Sequence, residues 1–288
     1  MSKKTNPLYS NGTFFDIALA RILDATALSK RIPEEINYDK ETATEFMKIT
    51  NFNNARLLGQ TTAVSALNIN GSNGKFVEIG CGPAKISIYL AEMLRQNNIK
   101  ESDVEIIAVD KCQMMTELAK ENIEKFGLSD YITVVKASAH DLPFPSNSVD
   151  CIVMQDTLHE ISDPVQALRE INRTIKTDGS YIVRDLRRPP NRLALNAMLC
   201  LLAQGYNKLQ KGIFRHSLEA GYTGNELCEL AKEAGMSDYQ IRPVSITHID
   251  ILKSNGNSSL EYLRHAVQLF SSIKHKLLFR SYIVHNEY

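Results

Sequence analysis

The residues of this chain best suited to chemistry stand where short apolar runs end. The first group is Glu78-Ile79-Gly80-Cys81-Gly82-Pro83-Ala84, at the end of the run that begins at Phe76. Gly80 and Gly82 let a backbone turn sharply and approach a ligand with no Cβ in the way, and Ala84 is the next small residue. The run IIAV ends at Asp110, where a carboxylate can accept both hydroxyl protons of a ribose. An ordinary solvated aspartate at the top of a helix is the plain alternative. A third group, Ser138, Ala139, His140 and Asp141, precedes Leu142-Pro143-Phe144, a polar loop closed by an apolar clamp. At the fourth, Gln155, Asp156 and His159 follow Met154. His159, His140 and Asp156 are the candidate proton acceptors, and a neutral imidazole is a competent base near neutral pH. His159 serves equally well in the plain reading, in which it bonds backbone and orders its loop. A dinucleotide fingerprint would put its third glycine at position 85, where the chain has Lys85, so a nicotinamide cofactor is disfavoured.

Such residues can work together only if several strands end at one edge of a sheet, and the pattern between them supplies that arrangement. Strand Phe76 to Ile79 leads through the glycine turn to helix Ala84 to Gln96, and strand Val104 to Val109 leads to helix Gln113 to Phe126. Strand Tyr131 to Val135, strand Val149 to Met154, helix Pro164 to Ile175, the turn TDGS and strand Tyr181 to Val183 follow, the last ending at Asp185 and the turn-rich RRPPN. Strands alternating with helices of this length imply crossover connections, hence a mostly parallel sheet with helices on both faces. The fold class is α/β. After Asn191 come two helical stretches, about 191–210 and 224–235, then strands at 239–243 and 246–252 that read as an antiparallel hairpin at the sheet edge. Asp185 and Arg187 either bind a substrate or pair with each other, and Tyr206, His216 and Tyr222 lie in the insertion of about 191–222.

With these motifs in order, the chain resembles a class I (Rossmann-like) S-adenosylmethionine-dependent methyltransferase over about 75–186, and more weakly to about 252. FVEIGCGPAKIS is similar to the family's first motif and AVDKCQMM to its second. KASAHDLPFPSNSVDCIV is similar to the stretch with Leu-Pro-Phe and a Val-Asp pair, and DTLHEISDP to the segment after strand four. The resemblance implies a seven-stranded sheet and S-adenosyl-L-methionine as cofactor. It implies cofactor contacts from Glu78, Ile79, Gly80, Cys81, Gly82, Ala84, Asp110, Lys111, Met115, Ser138, Ala139, His140 and Gln155, with Asp110 on the ribose and Met115 over the adenine. Two departures stand out: Ala84 occupies the third glycine position of the first motif, and Ser138 replaces the acid that commonly binds the adenine amino group, so that contact either passes to His140 or Asp141 or is absent. The Leu-Pro-Phe loop and the His159 segment resemble the ubiquinone/menaquinone C-methyltransferase group and its small-molecule relatives.

Composition sets the remaining bounds. Thirty-three Lys and Arg balance thirty-three Asp and Glu in 288 residues, so no global field draws the protein to nucleic acid or membrane. No Asn/Asp-Pro-Pro-aromatic turn or Pro-Cys nucleophile follows strand four, which favours a small-molecule methyl acceptor. Five cysteines with no CxxC spacing fit free thiols in a reducing, cytoplasmic setting. The seven histidines lack metal-ligand spacing, and no metal is expected. The longest apolar run, Leu193 to Ala203, is too short to cross a bilayer, so stable membrane insertion is not expected, and the N-terminus does not read as a secretory signal. The expected organisation is an N-terminal helical lid (1–70, with Tyr9, Phe14 and Phe15 covering the site), the methyltransferase core (71–253) and a C-terminal helical extension (254–288). That extension reads as a helix packed on its own domain, with a homodimer contact or a basic membrane-surface helix as alternatives. A cofactor-binding or regulatory protein without turnover is the competing reading, because fold does not fix function.

Overall fold

The apolar runs become strands because they are short, rich in valine and isoleucine, and bounded by glycine or polar turns. The computed structural model describes residues 31–33, 45, 48 and 53–254. Its strands are β1 (Gly74–Ile79), β2 (Val104–Asp110), β3 (Ile132–Lys136), β4 (Val149–Gln155), β5 (Ile175–Leu186), β6 (Gln240–Pro243) and β7 (His248–Lys253). The helices are α1 (Asn53–Asn70), α2 (Lys85–Gln96), α3 (Gln113–Lys125), α4 (Pro164–Thr174), α5 (Arg192–Leu202), α6 (Lys208–Ala220) and α7 (Gly224–Glu233). The regions assigned above to a helical lid and a C-terminal helix, Tyr9, Phe14 and Phe15 included, lie outside the described residues apart from α1 and the few positions named here.

The sheet order is β3-β2-β1-β4-β5-β7-β6. β1 to β5 run parallel, and β7 runs antiparallel to both of its neighbours, as the hairpin reading expects. The chain winds outward from β1 to β3 and then returns to lay β4 on the other side of β1. The crevice at that reversal, beyond the strands' carboxyl ends, is where such sheets take ligands. Both faces are covered, so central strands are apolar at successive positions. In β1, Phe76 packs with Ala63, Val64, Ile86 and Leu90 of α1 and α2, whereas Val77 and Ile79 pack with Leu168 and Ile171 of α4 and Leu227 of α7. Burying each such side chain contributes about 1.5–3 kcal/mol.

Two elements differ from the pattern read in the sequence. β5 begins at Ile175, because the TDGS segment bulges within the strand: Val149 pairs with Ile175, and the next β4 pair is Cys151 with Ser180. The stretch 191–210 is not one helix. Gly205 has φ +85°, and Asn207 starts a new helix through a reciprocal cap in which Asn207 Oδ1 accepts from the Gln210 N–H and Gln210 Oε1 accepts from the Asn207 N–H, both at 2.9 Å. Apolar periodicity ran across the break, while the Asn-x-x-Gln signal marked it.

An arginine–aspartate pair lies inside this architecture. Arg184 and Asp250 face each other across β5 and β7, fully buried, with Nε–Oδ1 at 2.7 Å and Nη2–Oδ2 at 2.9 Å. Nη1 of Arg184 donates to the Thr62 hydroxyl of α1 at 2.8 Å. Removing one partner strands a buried charge. Asp250→Ala is therefore expected to lower unfolding free energy by about 3–5 kcal/mol in urea titrations, and the apolar double variant Arg184→Met/Asp250→Leu to recover most of that loss.

Candidate functional site

The first strand end is built by backbone shape. Gly80 (φ +66°) lies so close to Thr157 that a Cβ would run into that side chain, so only glycine fits between the tips of β1 and β4. The Thr157 hydroxyl is placed to donate to the Gln155 carbonyl at 2.9 Å and the Gly80 carbonyl at 3.3 Å. Gly82 (φ +49°) has open space where a Cβ would be. Ala84 is fully buried at φ +60°, in the left-handed region that costs a residue bearing a Cβ on the order of 1–3 kcal/mol. This conformation explains why a glycine would suit position 84 and why nothing larger than alanine would. Ile79 and Cys81 are buried beside it. Glu78 Oε2 accepts from the Ser87 N–H at 2.8 Å and from the Ser87 hydroxyl, fastening the strand end to α2.

The second strand end clasps the first. Asp110 Oδ2 accepts from the Gly82 N–H and Oδ1 from the Cys112 N–H, both at 2.8 Å. Burial raises the Asp110 carboxyl above its ordinary value, opposed by these two N–H donors. Each oxygen keeps a lone pair for a further donor. Lys111 beside it is exposed, and Met115 is buried in the first turn of α3.

At the third strand end the predicted polar loop and apolar clamp both form. Ser138 bridges to Asp141, the Ser138 hydroxyl accepts from the His140 N–H at 3.2 Å, and the His140 carbonyl accepts from Gln166 Nε2 at 3.2 Å. Leu142 and Phe144 are buried, and Arg173 of α4 donates to both of their carbonyls. Ala139 packs partly buried against the same core. His140 Nε2 is buried without a hydrogen-bond partner among the described residues, a polar atom held ready for a ligand group.

The fourth strand end carries two His–Asp pairs of different character. His159 is 2% exposed, with Nδ1 at 2.6 Å from Asp185 Oδ1 and its backbone N–H donating to Asp185 Oδ2 at 3.1 Å. Asp185 thus pairs with His159 and not with Arg187, whose N–H bonds the Thr247 carbonyl. The His159 carbonyl accepts from Arg31, whose guanidinium lies 4.4 Å from the Tyr222 ring centroid, and the Tyr222 hydroxyl donates to the Leu158 carbonyl. The second pair is Asp156 Oδ1 with His248 Nε2 at 3.0 Å, the aspartate about a third exposed. Burial would raise the Asp156 carboxyl, but His248, together with His159 and Gln155, outweighs it and holds the group below its ordinary value. Asp156 has φ +50°, and Gln155 Nε2 donates to its Oδ2 at 3.1 Å. Gln155 Oε1 in turn accepts from Thr62, the residue that meets Arg184.

The structure therefore gathers the sequence candidates from Glu78 to His159 along one sheet edge. It adds His248, Thr62, Arg31 and Asp185's role as partner of His159. His248 is legible only from topology: it opens a strand running against the others, so its first residue lands where the others end. Tyr206 packs edge-on against Phe214 at 5.9 Å between centroids, and His216 is exposed on α6.

Burial pushes the Glu78 carboxyl up from 4.5 to about 7, against the Ser87 hydrogen bonds that lower it. The protonated folded form is favoured, so this stabilisation is complete below the unfolded value and lost as pH rises through the folded one. Glu78→Gln cannot ionise. Its melting temperature relative to the unsubstituted protein is expected to improve between about pH 5 and about pH 8, and a constant difference would contradict the assignment.

Comparison with known proteins agrees with this geometry. A methyltransferase-domain family model matches residues 77–183. The ubiquinone/menaquinone biosynthesis C-methyltransferase UbiE of Hahella chejuensis is 32% identical over 92 residues, covering 32% of this chain and 37% of that protein. The chain thus spans well under half the length of that relative. An S-adenosyl-L-methionine-dependent methyltransferase assigned in Methanococcus maripaludis shares the fold with TM-score 0.57 and 24% identity, covering 80% of this chain and 100% of that one. The plantazolicin methyltransferase BamL, solved with SAH and a triazolic analogue, gives TM-score 0.56 and 13% identity over 80% of this chain and 84% of that one. The family match falls on the strands and turns that build the site: residues 77–183 match a methyltransferase domain, on a fold shared with S-adenosylmethionine-dependent methyltransferases.

Proposed function

We propose that this protein transfers a methyl group from S-adenosylmethionine to a small-molecule acceptor by in-line displacement. The observation that carries the reading is Asp110, whose two oxygens each hold one backbone N–H of the glycine turn and the following helix and still have capacity for a vicinal pair of hydroxyls. The partnerless His140 Nε2 at the next strand end suits a base edge, and buried Met115 suits an apolar cover for it. S-adenosylmethionine, when bound, supplies a methyl group already activated on a sulfonium. The protein's own contribution is then alignment, which can supply on the order of 7–11 kcal/mol.

Asp156 is the group we assign to the acceptor. Its carboxylate is partly exposed, held ionised by His248, and able to accept the proton or hydrogen bond of an N–H, O–H or acidic C–H. His159, fixed through two bonds by Asp185, acts as a positioning residue for the loop after β4. The absence of net charge and the likeness to UbiE, a ubiquinone/menaquinone biosynthesis C-methyltransferase, support a small acceptor over a polyanion.

Calorimetric titration with S-adenosylhomocysteine tests the cofactor half. Asp110→Ala is expected to weaken binding about ten- to a hundredfold, and a well-folded unsubstituted protein with no affinity would overturn the proposal. The acceptor half is read as turnover of a panel of quinols, phenols and amines. Asp156→Asn is expected to lower kcat while leaving S-adenosylhomocysteine affinity within a few-fold, whereas His159→Asn should lower thermal stability as well as rate. A bound donor with no methyl transfer to any member of a broad panel would favour a regulatory binding protein.

A further inference from the structure

The helical hairpin that follows β5 carries a surface that the methyl-transfer reading does not use. α5 is apolar on both sides: Leu195 and Met198 pack inward with Leu186 and Leu218, while Leu193, Ala197, Cys200 and Leu201 recur at i, i+4, i+7 and i+8 on the outward side. Leu193 is 80% exposed and Leu201 64%. A soluble helix does not usually leave such a stripe in water. Across the hairpin, Lys208, Lys211 and Arg215 recur at i, i+3 and i+7 along one face of α6, beside exposed Leu209.

The two stripes meet. An open groove of about 360 Å³ is lined by Leu199 and Cys200 from α5 and by Lys208, Lys211, Gly212 and Arg215 from α6, three cations with no carboxylate. Arg215 is oriented by donating to Asn196 Oδ1 at 3.1 Å. Glu45, near the start of α6, is already engaged by Lys48 and Asn207. In a chain with no net charge, the segment from Arg187 to Leu218 contains no acidic residue, and its exposed or half-exposed cations are Arg192, Lys208, Lys211 and Arg215, whereas Arg187 and Arg188 are buried.

We propose that the α5–α6 hairpin docks this protein on the surface of an anionic lipid bilayer, with Leu193, Leu201 and Leu209 entering the interface and Lys208, Lys211 and Arg215 meeting headgroup phosphates. Charge complementarity selects an anionic partner, and the adjoining row of exposed leucines selects one that also offers an apolar layer, which neither free phosphate nor a nucleic-acid backbone does. The contact lies in the plane of the membrane, since no helix among the described residues is long and apolar enough to cross one. The proposal stands apart from the methyltransferase reading, and its test reads partition and not turnover.

The full chain is sedimented with vesicles of phosphatidylcholine alone and of phosphatidylcholine with phosphatidylglycerol, at low and high salt. Binding only to the anionic vesicles, weakened by salt, is expected. The surface variant Lys208→Gln/Lys211→Gln/Arg215→Gln should weaken it about a hundredfold, at roughly fivefold for each cation near such a surface. Leu193→Asn/Leu201→Asn should weaken it severalfold, with melting temperature and S-adenosylhomocysteine affinity unchanged in both variants. Absence of vesicle binding overturns the proposal, as does binding that survives both sets of substitutions, which would assign it to another segment. Competition by inorganic phosphate with no effect of the leucine changes would reduce the groove to a simple anion site and also overturn it. Loss of concentration-dependent self-association in the same variants, without vesicle binding, would assign the face to a second copy of the chain.

Discussion

The close approach of Gly80 to Thr157 is the constraint on which the rest of the molecule depends. It falls where the winding of the sheet reverses, between the first strand laid down and the one laid beside it after two crossovers. Because there is no room for a side chain at that point, the β1 and β4 tips meet through a backbone carbonyl and a hydroxyl, and the glycine turn stands open on its other side. Asp110 then holds that open turn from the β2 tip. The arrangement is one of backbone groups fixed by neighbours, so little must be reorganised when a ligand enters.

The site's acids divide the work by their surroundings. Glu78 is buried against hydroxyl and amide and stays a proton holder near neutrality, whereas Asp156, no less central, is kept ionised by an imidazole from the antiparallel strand. Asp185 spends its capacity on His159 and the Leu186 amide and thereby shapes the loop following β4. Three carboxylates within one sheet edge thus differ in what they can offer a substrate, and burial together with the immediate partner decides which.

What was legible in the sequence was local. The run Glu78 to Ala84, Asp110, the clamp Leu142-Pro143-Phe144 and the residues after Met154 announce themselves because each glycine, acid or apolar clamp acts next to where it is written, and strand-helix alternation gave the order of elements. What was not legible depends on partners distant in the chain. Arg184 and Asp250 are 66 positions apart and become neighbours only through the antiparallel pairing of β5 and β7. His248 reaches Asp156 by the same reversal of direction, and Thr62 reaches Gln155 from a helix that precedes the whole sheet. The break between α5 and α6 was hidden for a different reason: apolar spacing continues through it, and only Gly205 and the Asn207–Gln210 cap record the change of helix.

The bond from Arg184 to Thr62 has a mechanical meaning. α1 is latched from inside the sheet by a charge that has no access to water, and the same threonine holds Gln155 at the rim. Lifting that helix would take the Thr62 hydroxyl from buried Arg184 and from half-buried Gln155 at once. Any opening of the strand tips that admits a substrate must therefore leave α1 in place as a fixed post.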